Sequence, residues 1–398
     1  MICVVVRISA DERRRRLGAR HALAPSARAA DPVEAARRVV ALHATDPATV
    51  FLAVRARVDG FTPHDVEDAL YLRRDLVRML GMRRTMFVVP SPLLPLIEAS
   101  TMGRVAGAQR RLLVKHLRET GIPDAGNWLA EVEKGTLAAL AARGGAATAT
   151  ELAADEPRLR TTLVMSPGKP YEARPAITSR VLVVLGAEGQ VVRGRPSGSW
   201  LSQRYQWALA DHWLPIALDR LPEVAARAEL ARCWLAAYGP APAADLQWWT
   251  GWTGGQVTRA LADTGAVAVD LEGESGLALP EDLDPTPEPE PWAALLPALD
   301  PTTMGWRSRG WYLGDHAKAL FDTMGNAGPT IWLDGRVVGG WAQRADGEVV
   351  ARLLEDVGTA ATALVDAEVA RLQQWLLAAG DVRIIPRFRT PIERELTR

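Results

Sequence analysis

Four consecutive residues, His43-Ala44-Thr45-Asp46, bring together the side chains of this chain that are best suited to handling a proton or holding a water molecule. A neutral imidazole can bind water or accept a proton, a threonine hydroxyl can bind water, and a carboxylate can serve as a base. The run follows Arg37 and Arg38, and we expect it at the C-terminal end of the helix that carries them. A purely structural role is open as well, because an imidazole at a helix end can bond to free carbonyl groups and Asp46-Pro47 is a common turn start.

Length and charge indicate a multidomain protein with one basic end. A chain of 398 residues exceeds one ordinary domain, and its 48% apolar content is ample for buried cores. Residues 1–120 carry 21 basic and 12 acidic side chains, whereas residues 221–398 carry 15 and 25. A basic face can bind a polyanion, although charge also varies along protein surfaces without functional meaning. Arginine outnumbers lysine 43 to 4, which suits bidentate phosphate contacts but is also typical of a GC-rich genome.

The sequence carries no pattern typical of a metal site, a cofactor site or a membrane protein. The two cysteines, Cys3 and Cys233, and the six histidines have neither metal-ligand spacing nor the number that a disulfide framework needs. The apolar stretch from Ile2 to Val6 is too short for a secretory signal, and no apolar run reaches the length of a transmembrane helix. We therefore expect a cytoplasmic protein, associated with the nucleoid if it binds DNA, that acts as a monomer without metal or cofactor.

Helix caps and a change of hydrophobic period organise the first 120 residues. N-cap residues followed by an acidic side chain or a proline predict helix starts at Ser9, Asp31 and Thr62. Residues 76–80 and 82–89 then form two apolar runs that we interpret as strands turning at Gly81. Helices followed by a two-stranded ribbon are typical of a winged helix-turn-helix.

The same order of elements returns twice along the chain. Predicted helices over 135–143, 148–153 and 174–185 precede a turn and strand at 188–195, and helices over 229–238, 242–249 and 253–263 precede a turn and strand at 264–270. We therefore predict an α+β fold of three tandem winged helix-turn-helix units followed by a small β-rich α+β C-terminal domain. The predicted bounds are 1–120, 121–220 and 221–280 for the units, 281–291 for an acidic, proline-rich linker, and 292–398 for the last domain. Within that domain we predict strands at 329–333, 337–343, 349–353 and 382–386 and a helix at 361–379.

Winged helices most often bind duplex DNA, with the third helix in the major groove and the wing on the backbone. Arg193, Arg195 and Ser199 lie in the glycine-containing wing predicted for the second unit, for which the alternative is a solvated hairpin tip. The other candidates for DNA contacts are Arg37, Arg38, Arg83, Arg84, Thr85, Arg174 and Arg180. Trp248, Trp249 and Trp252 could wedge between base steps, but we favour a place in the hydrophobic core.

Several motifs, in the same order along almost the whole chain, resemble the winged-helix DNA glycosylases related to AlkZ and YcaQ. They are residues 42–57, the run 82–90 (MRRTMFVVP), residues 189–196, and residues 295–305 together with 337–341. The resemblance implies three tandem winged helices that form a concave DNA-binding face, and a β-rich domain. It also implies excision of alkylated bases, or unhooking of crosslinks, from double-stranded DNA without metal or cofactor.

The resemblance also implies a site for the catalytic water. In the family a Gln-x-Gln or Gln-x-Asp motif holds the water that attacks the sugar, and the two positions are His43 and Thr45 here, with Asp46 one residue beyond. The family's usual Arg-Gly-Thr-Leu-His is Arg84-Thr85 without the glycine, and Phe87 stands where histidine is common. These departures leave two hypotheses. One is a glycosylase with altered chemistry that uses His43, Thr45 and Asp46 in DNA repair or self-resistance, and the other is a non-catalytic DNA-binding protein such as a transcriptional regulator.

Overall fold

The structure is a computed structural model that describes residues 6–165, 168–170, 172–216, 221–380 and 382–398. Cys3 and residues 2–5 of the N-terminal apolar stretch lie outside these residues. Within them the chain is a mixed α+β protein, as predicted, with strands in sheets of six, four and three.

The first part of the chain begins its helices at the predicted caps. Ser9 Oγ accepts a hydrogen bond from the Glu12 N–H at 3.2 Å, and Asp31 Oδ1 accepts one from the Glu34 N–H at 2.8 Å. Thr62 forms a capping box. The elements are β1 (Val6–Arg7), α1 (Ala10–Arg20), α2 (Pro32–Arg38), β2 (Leu42–His43), α3 (Pro47–Arg55), α4 (Pro63–Tyr71), β3 (Leu76–Leu80), β4 (Met86–Pro90), α5 (Leu94–Ile97) and α6 (Gly103–Glu119).

The expectation that His43–Asp46 lies at the end of a helix is wrong. Helix α2 ends at Arg38, and Val40 has a φ of 63°, so the backbone leaves the helical conformation there. The chain then enters β2, in which His43 pairs with Phe87 of β4. Asp46 is the N-cap of α3, with Oδ1 accepting from the Ala48 N–H at 3.1 Å. The run is therefore a strand-to-helix connection at a sheet edge.

The second part of the chain completes the sheet that the first part begins. Its elements are α7 (Ala125–Ala142), β5 (Ala146–Thr148), α8 (Ala149–Asp155), α9 (Thr178–Ala187), β6 (Val191–Pro196), β7 (Tyr205–Leu209) and α10 (Ala210–Trp213). The six strands run in the order β2-β4-β3-β6-β7-β5, and the two halves meet where Arg78 of β3 pairs with Arg193 of β6. The helix predicted from residue 174 begins four residues later, because Pro175 disfavours a helical conformation at Arg174.

The loop between β6 and β7, residues 197–204, is anchored to other parts of the chain. The Trp200 side chain is buried, and its ring lies 4.5 Å from the Phe51 ring and 6.0 Å from the Trp375 ring, measured between centroids. Burial of a side chain this large ties the loop to α3 and to the long C-terminal helix.

The third part of the chain ends in a hairpin, of which the sequence predicted only the first strand. Its elements are α11 (Glu223–Tyr238), α12 (Ala243–Thr250), α13 (Gly254–Ala262), β8 (Val267–Leu271) and β9 (Glu274–Ala278). Strand β9, which was missed, follows a two-residue turn, Glu272-Gly273, and β8 also pairs in parallel with β1. Trp249 and Trp252 are buried in the core, as favoured above.

The last part of the chain packs a long helix on a four-stranded sheet of order β10-β11-β12-β13. Its elements are β10 (Ala293–Leu296), α14 (Gly310–Leu313), α15 (Ala317–Leu320), β11 (Thr330–Leu333), β12 (Arg336–Gln343), β13 (Val349–Leu353), α16 (Thr359–Ala378) and α17 (Pro391–Leu396). The strand predicted at 382–386 is wrong, because this extended segment joins no sheet. The Ile384 N–H instead donates to the Gln343 side chain at 2.9 Å.

Two polar contacts, one buried and one partly buried, hold distant segments together. Arg57 and Asp300 are fully buried and form a bidentate ion pair, with Nη2 to Oδ1 at 2.7 Å and Nη1 to Oδ2 at 2.9 Å. The acidic segment 281–291 lies along α1, where Arg20 Nη2 donates to Asp282 Oδ1 at 2.6 Å.

Candidate functional site

His43 is held neutral by its position in the sheet. Its ring stands edge-on to the Phe87 ring at 5.5 Å, so two of the positions at which the sequence departs from the family's motifs are cross-strand neighbours. Burial, and to a lesser extent the charge of Arg83, lowers the pKa of His43 to about 3. The Thr45 backbone N–H points at His43 Nδ1 at 3.5 Å, a long contact that favours the proton on Nε2.

His43 opens onto a pocket of about 320 Å³, which we call the His43 pocket. Arg83, Thr85, Trp248 and Arg309 line it with His43. The guanidinium of Arg83 lies 4.1 Å from the centre of the Trp248 ring, and that of Arg309 lies 5.2 Å from it. No described residue bonds His43 Nε2, so this nitrogen can hold a water molecule that enters the pocket.

Thr45 lines a different cavity, of about 150 Å³, which we call the arginine pocket. Arg78, Arg193, Tyr205 and Arg387 line it with Thr45. Arg78 Nη1 donates to the Ala44 carbonyl at 3.1 Å, and Arg387 Nη1 donates to the Thr45 carbonyl at 2.9 Å. Two guanidiniums therefore grip the backbone of the strand-to-helix connection from this side.

Asp46 faces a third and much smaller cavity, of about 30 Å³, between α3 and the C-terminal part of the chain. Burial raises the pKa of its carboxyl, while the Ala48 N–H and the charges of Arg387 and Arg78 lower it. The N-cap bond to Ala48 fixes the carboxyl at the start of α3. The structure thus places His43, Thr45 and Asp46 side by side in the chain without bringing them into one pocket.

The basic residues predicted in the first part of the chain lie in two places. Arg37 and Arg38 lie on α2, each within 4 Å of Glu34, at 3.7 Å and 2.9 Å. Arg83 and Arg84 form the turn between β3 and β4 and are exposed, with φ angles of 54° and 61°. Arg84 also donates to Gln109 at 2.8 Å. Only Arg83 and Thr85 reach the His43 pocket.

The candidates of the second part are more scattered. Arg174 is exposed and pairs with Glu172 at 3.2 Å, and Arg180 lies half-buried in the first turn of α9. Arg195 and Ser199 are exposed, and Arg195 lies 4.9 Å from the centre of the Tyr71 ring. Arg193 lies within the sheet, where burial lowers its pKa to about 10.

Sequence analysis missed most of the residues that complete the two pockets, namely Arg78, Tyr205 and Arg387 in the arginine pocket and Arg309 in the His43 pocket. Trp248, for which a core position was favoured over a contact with DNA, is half-buried and lines the His43 pocket. A buried arginine inside the apolar strand Leu76–Leu80 was the one available signal, because an unpaired cation in a strand core is costly. Nothing local points to Arg387 or Arg309.

The described residues include neither a side-chain cluster suited to a metal ion nor a helix suited to spanning a membrane. No three His, Cys, Asp or Glu side chains among them are grouped so as to hold a metal ion. No helix in the same part of the chain is both long and apolar enough to cross a bilayer.

Comparisons with known proteins bear on this architecture. The Streptomyces sahachiroi DNA glycosylase AlkZ has a similar fold, with a TM-score of 0.72 and 20% sequence identity over 92% of this chain and 97% of that one. No curated protein sequence matches the chain. A family profile for DNA glycosylase AlkZ-like proteins matches residues 36–375, which include the candidate site and both pockets except for Arg387. The predicted resemblance is confirmed, and the chain belongs to the AlkZ-like DNA glycosylase family.

Proposed function

We propose that this protein is a monofunctional DNA glycosylase that hydrolyses the N-glycosidic bond of alkylated or bulky-adduct bases in double-stranded DNA, in DNA repair or self-resistance. Family membership is one part of the support, and the observation on which the proposal depends is the following. A histidine that stays neutral lies at the wall of a cationic pocket, at the position of the family's water-holding motif. Arg83 and Arg309 beside the Trp248 ring suit a nucleotide, because its phosphates are anionic and its base can stack on an aromatic face.

The chemistry requires little from the protein when the base is N-alkylated. The bond between the base nitrogen and C1′ breaks, and the cationic purine leaves with the bonding pair as a neutral molecule. The oxygen of a water then bonds to C1′ of the oxocarbenium-like sugar and releases one proton to solvent. Since the pKa of His43 is about 3, this residue is a better water holder than a proton acceptor at neutral pH. Holding water in attack geometry is the contribution that remains.

The other two residues of the run, Thr45 and Asp46, position the His43 side chain. The Thr45 N–H orients the imidazole through Nδ1, and Thr45 also lines the neighbouring pocket. Asp46 assists as the cap that fixes the start of α3. In this proposal His43 contacts the water, and Thr45 and Asp46 set where the imidazole stands.

We also propose that the chain uses three tandem winged helices, over 1–120, 121–220 and 221–280, with 281–291 as a linker and 292–398 as the last domain. Support comes from the order of elements, in which helices precede a hairpin in each unit: β3–β4, β6–β7 and β8–β9. The residues proposed to contact DNA are Arg37, Arg38, Arg83, Arg84, Thr85, Arg174, Arg180, Arg193, Arg195 and Ser199. Exposed arginines among them would contact phosphates, which makes binding steeply dependent on salt.

The test is release of a base from an alkylated duplex. A duplex with one N7-methylguanine is incubated with excess protein, and free base and alkali-labile sites are measured over time, with a bulky N-alkyl adduct as a second substrate. Release above the spontaneous rate from either duplex is the expected result. Tight binding without release from any lesion would instead support the non-catalytic DNA-binding alternative.

A further inference from the structure

The arginine pocket holds more positive charge than its protein partners balance. Arg78 is 2% exposed and contacts no carboxylate within ion-pair distance among the described residues. Its cross-strand neighbour is another arginine, Arg193, and Arg387 adds a third guanidinium at the mouth. Asp46 is the carboxylate whose charge acts on Arg78 and Arg387, but it caps α3 and does not line the pocket. Like charges placed opposite each other in a sheet are unfavourable without an anion between them.

Several donors in the pocket have nothing to donate to. Arg78 Nε and Nη2, Arg193 Nε and the Tyr205 hydroxyl are buried and have no hydrogen-bond partner in the part of the chain that the structure describes. Such orphaned donors are rare, because each costs free energy unless a ligand or water meets it. The guanidiniums of Arg78 and Arg193 lie 4.6 Å and 5.5 Å from the centre of the Tyr205 ring, which fixes both next to the cavity.

The cavity is accessible and has room for a small anionic group. Gln203 and Arg387 at its mouth are exposed, whereas Arg78 at its base is buried. A volume of about 150 Å³ is far more than one water molecule needs. Arginine forks match the oxygens of phosphate in pairs, so a tetrahedral phosphate group fits both the charge and the geometry of the donors.

We propose that the arginine pocket binds one phosphodiester group of the DNA backbone next to the nucleotide whose base is removed. The inference rests on the proposed function, because it uses the adjacency of Thr45 in this pocket to His43 in the other. The phosphate is held on one side of the strand-to-helix connection and the reacting sugar lies on the other. Binding there fixes the register of the sugar against the water that His43 holds.

The test couples one phosphate of the DNA to one arginine of the pocket. Duplexes carrying a tetrahydrofuran abasic analogue, which cannot lose a base, are made with a single uncharged methylphosphonate at each position around the analogue in turn. We expect the wild-type protein to lose about tenfold in affinity at one position, as for one charged hydrogen-bonding contact. In Arg387→Gln, the affinity for the unmodified duplex falls by a similar factor and that position no longer matters.

Two further variants make the result specific to the pocket. Arg193→Gln reduces the slope of log affinity against log salt by about one contact, roughly 0.9. The matched control is Arg118→Gln, an exposed arginine on α6 outside both pockets, which keeps the wild-type methylphosphonate pattern. Thermal unfolding of each variant establishes that it is folded under the binding conditions.

Other outcomes overturn the proposal in distinguishable ways. If inorganic phosphate stabilises the wild type but not Arg193→Gln, and no methylphosphonate position couples to Arg387, the pocket binds free phosphate and the DNA assignment is wrong. If neither effect occurs while base release is normal, the pocket inference fails and the proposed function stands. If the coupling is found but no base is released from alkylated duplexes, the proposed function fails and the pocket is a backbone-phosphate site of a non-catalytic DNA-binding protein.

Discussion

Two regions of this protein each bury an arginine and a neutral histidine: in the one around Arg57, the closed cluster, the arginine has a counter-ion, and in the one around Arg78, the open cluster, it has none among the described residues. The guanidinium of Arg57 contacts both oxygens of Asp300, the Thr302 hydroxyl and the Ala53 carbonyl, and leaves only its Nε without a partner in the described part of the chain. His21 completes that cluster, with Nδ1 at 2.8 Å from Thr302 Oγ1 and Nε2 at 3.0 Å from the Ala237 carbonyl.

In the open cluster, Arg78 and His43 line two different pockets on either side of the strand-to-helix connection. Arg78 donates to one carbonyl and leaves two nitrogens without a partner, and His43 has one long contact through Nδ1. Both arginines are at most 2% exposed, so burial does not separate the clusters. What separates them is the counter-ion and the more complete hydrogen bonding of Arg57, and unsatisfied groups beside a cavity are where a ligand adds free energy.

The closed cluster should respond most strongly to loss of a partner. In Asp300→Asn, Arg57 stays buried and charged without a counter-ion, and we expect a loss of about 3–5 kcal/mol in the free energy of unfolding. Chemical denaturation measures it, with Asp263→Asn as the control, since Asp263 is 45% exposed in a pair at 3.9 Å with Arg259. A loss below about 1 kcal/mol, the range of exposed pairs, would contradict the contrast.

Substitution of His43 should mainly change the rate of base release, whereas substitution of His21 should mainly change the stability of the fold. We expect His43→Ala to slow single-turnover base release by about 100-fold, because the water loses its holder. His43→Gln, which restores a side chain able to hold water, should keep more of the rate than His43→Ala. His21→Ala should unfold more easily and release base at the wild-type rate while it is folded. Wild-type rates in His43→Ala would remove His43 from the site.

Acid should destabilise the protein through both histidines. Each has an ordinary pKa of 6.5 when unfolded and a pKa of about 3 when folded, so the unfolded state binds more protons between these values. Stability therefore falls as the pH decreases through 6.5, by about 2 kcal/mol for each histidine at pH 5. Denaturation at pH 7 and pH 5 measures it, and His21→Gln and His43→Gln should each recover that share. An equal pH 5 loss in wild type and His43→Gln would mean that His43 is not buried neutral.

The smallest change in the free energy of unfolding is expected for substitution of Arg78, which has no counter-ion among the described residues. Arg78→Met loses one bond to the Ala44 carbonyl and a contact with Tyr205, but it also removes the repulsion with Arg193. We expect the free energy of unfolding to change by less than about 1 kcal/mol while DNA affinity falls. Arg57→Met is the comparison, because it leaves Asp300 buried without a partner. Equal destabilisation by both substitutions would erase the difference between the clusters.

The sequence predicted those features, such as helix starts, that are determined by residues adjacent in the chain. The caps at Ser9, Asp31 and Thr62 were found because the side chain that bonds the helix start is next to it in sequence. The end of α2 was not, because nothing in the sequence marks Val40, a β-branched residue, for a left-handed conformation. His43 was therefore placed on the wrong kind of element, and its role as a site residue stays a prediction.

The pockets depend on contacts that no local pattern encodes. The pair Arg78 and Arg193 exists because β3 and β6 meet across the sheet, and a strand alone does not reveal its partner. Sequence reasoning assigned Arg193 to a wing, yet its side chain lies over the Trp207 ring at 4.2 Å within the sheet. Tertiary pairing thus decided which of the candidate arginines lie beside the candidate site.

The bond from Arg387 to the Thr45 carbonyl spans 342 residues of sequence. Closing so long a loop requires the intervening chain to be in place first, so this contact forms late in folding. During synthesis, a ribosome-bound chain already has His43 and Arg78 but lacks the third wall of the arginine pocket until Arg387 has been made. Chains that stop before Arg387 would therefore display the basic surface without the completed pocket, and the completed pocket requires that residues 45–387 have folded.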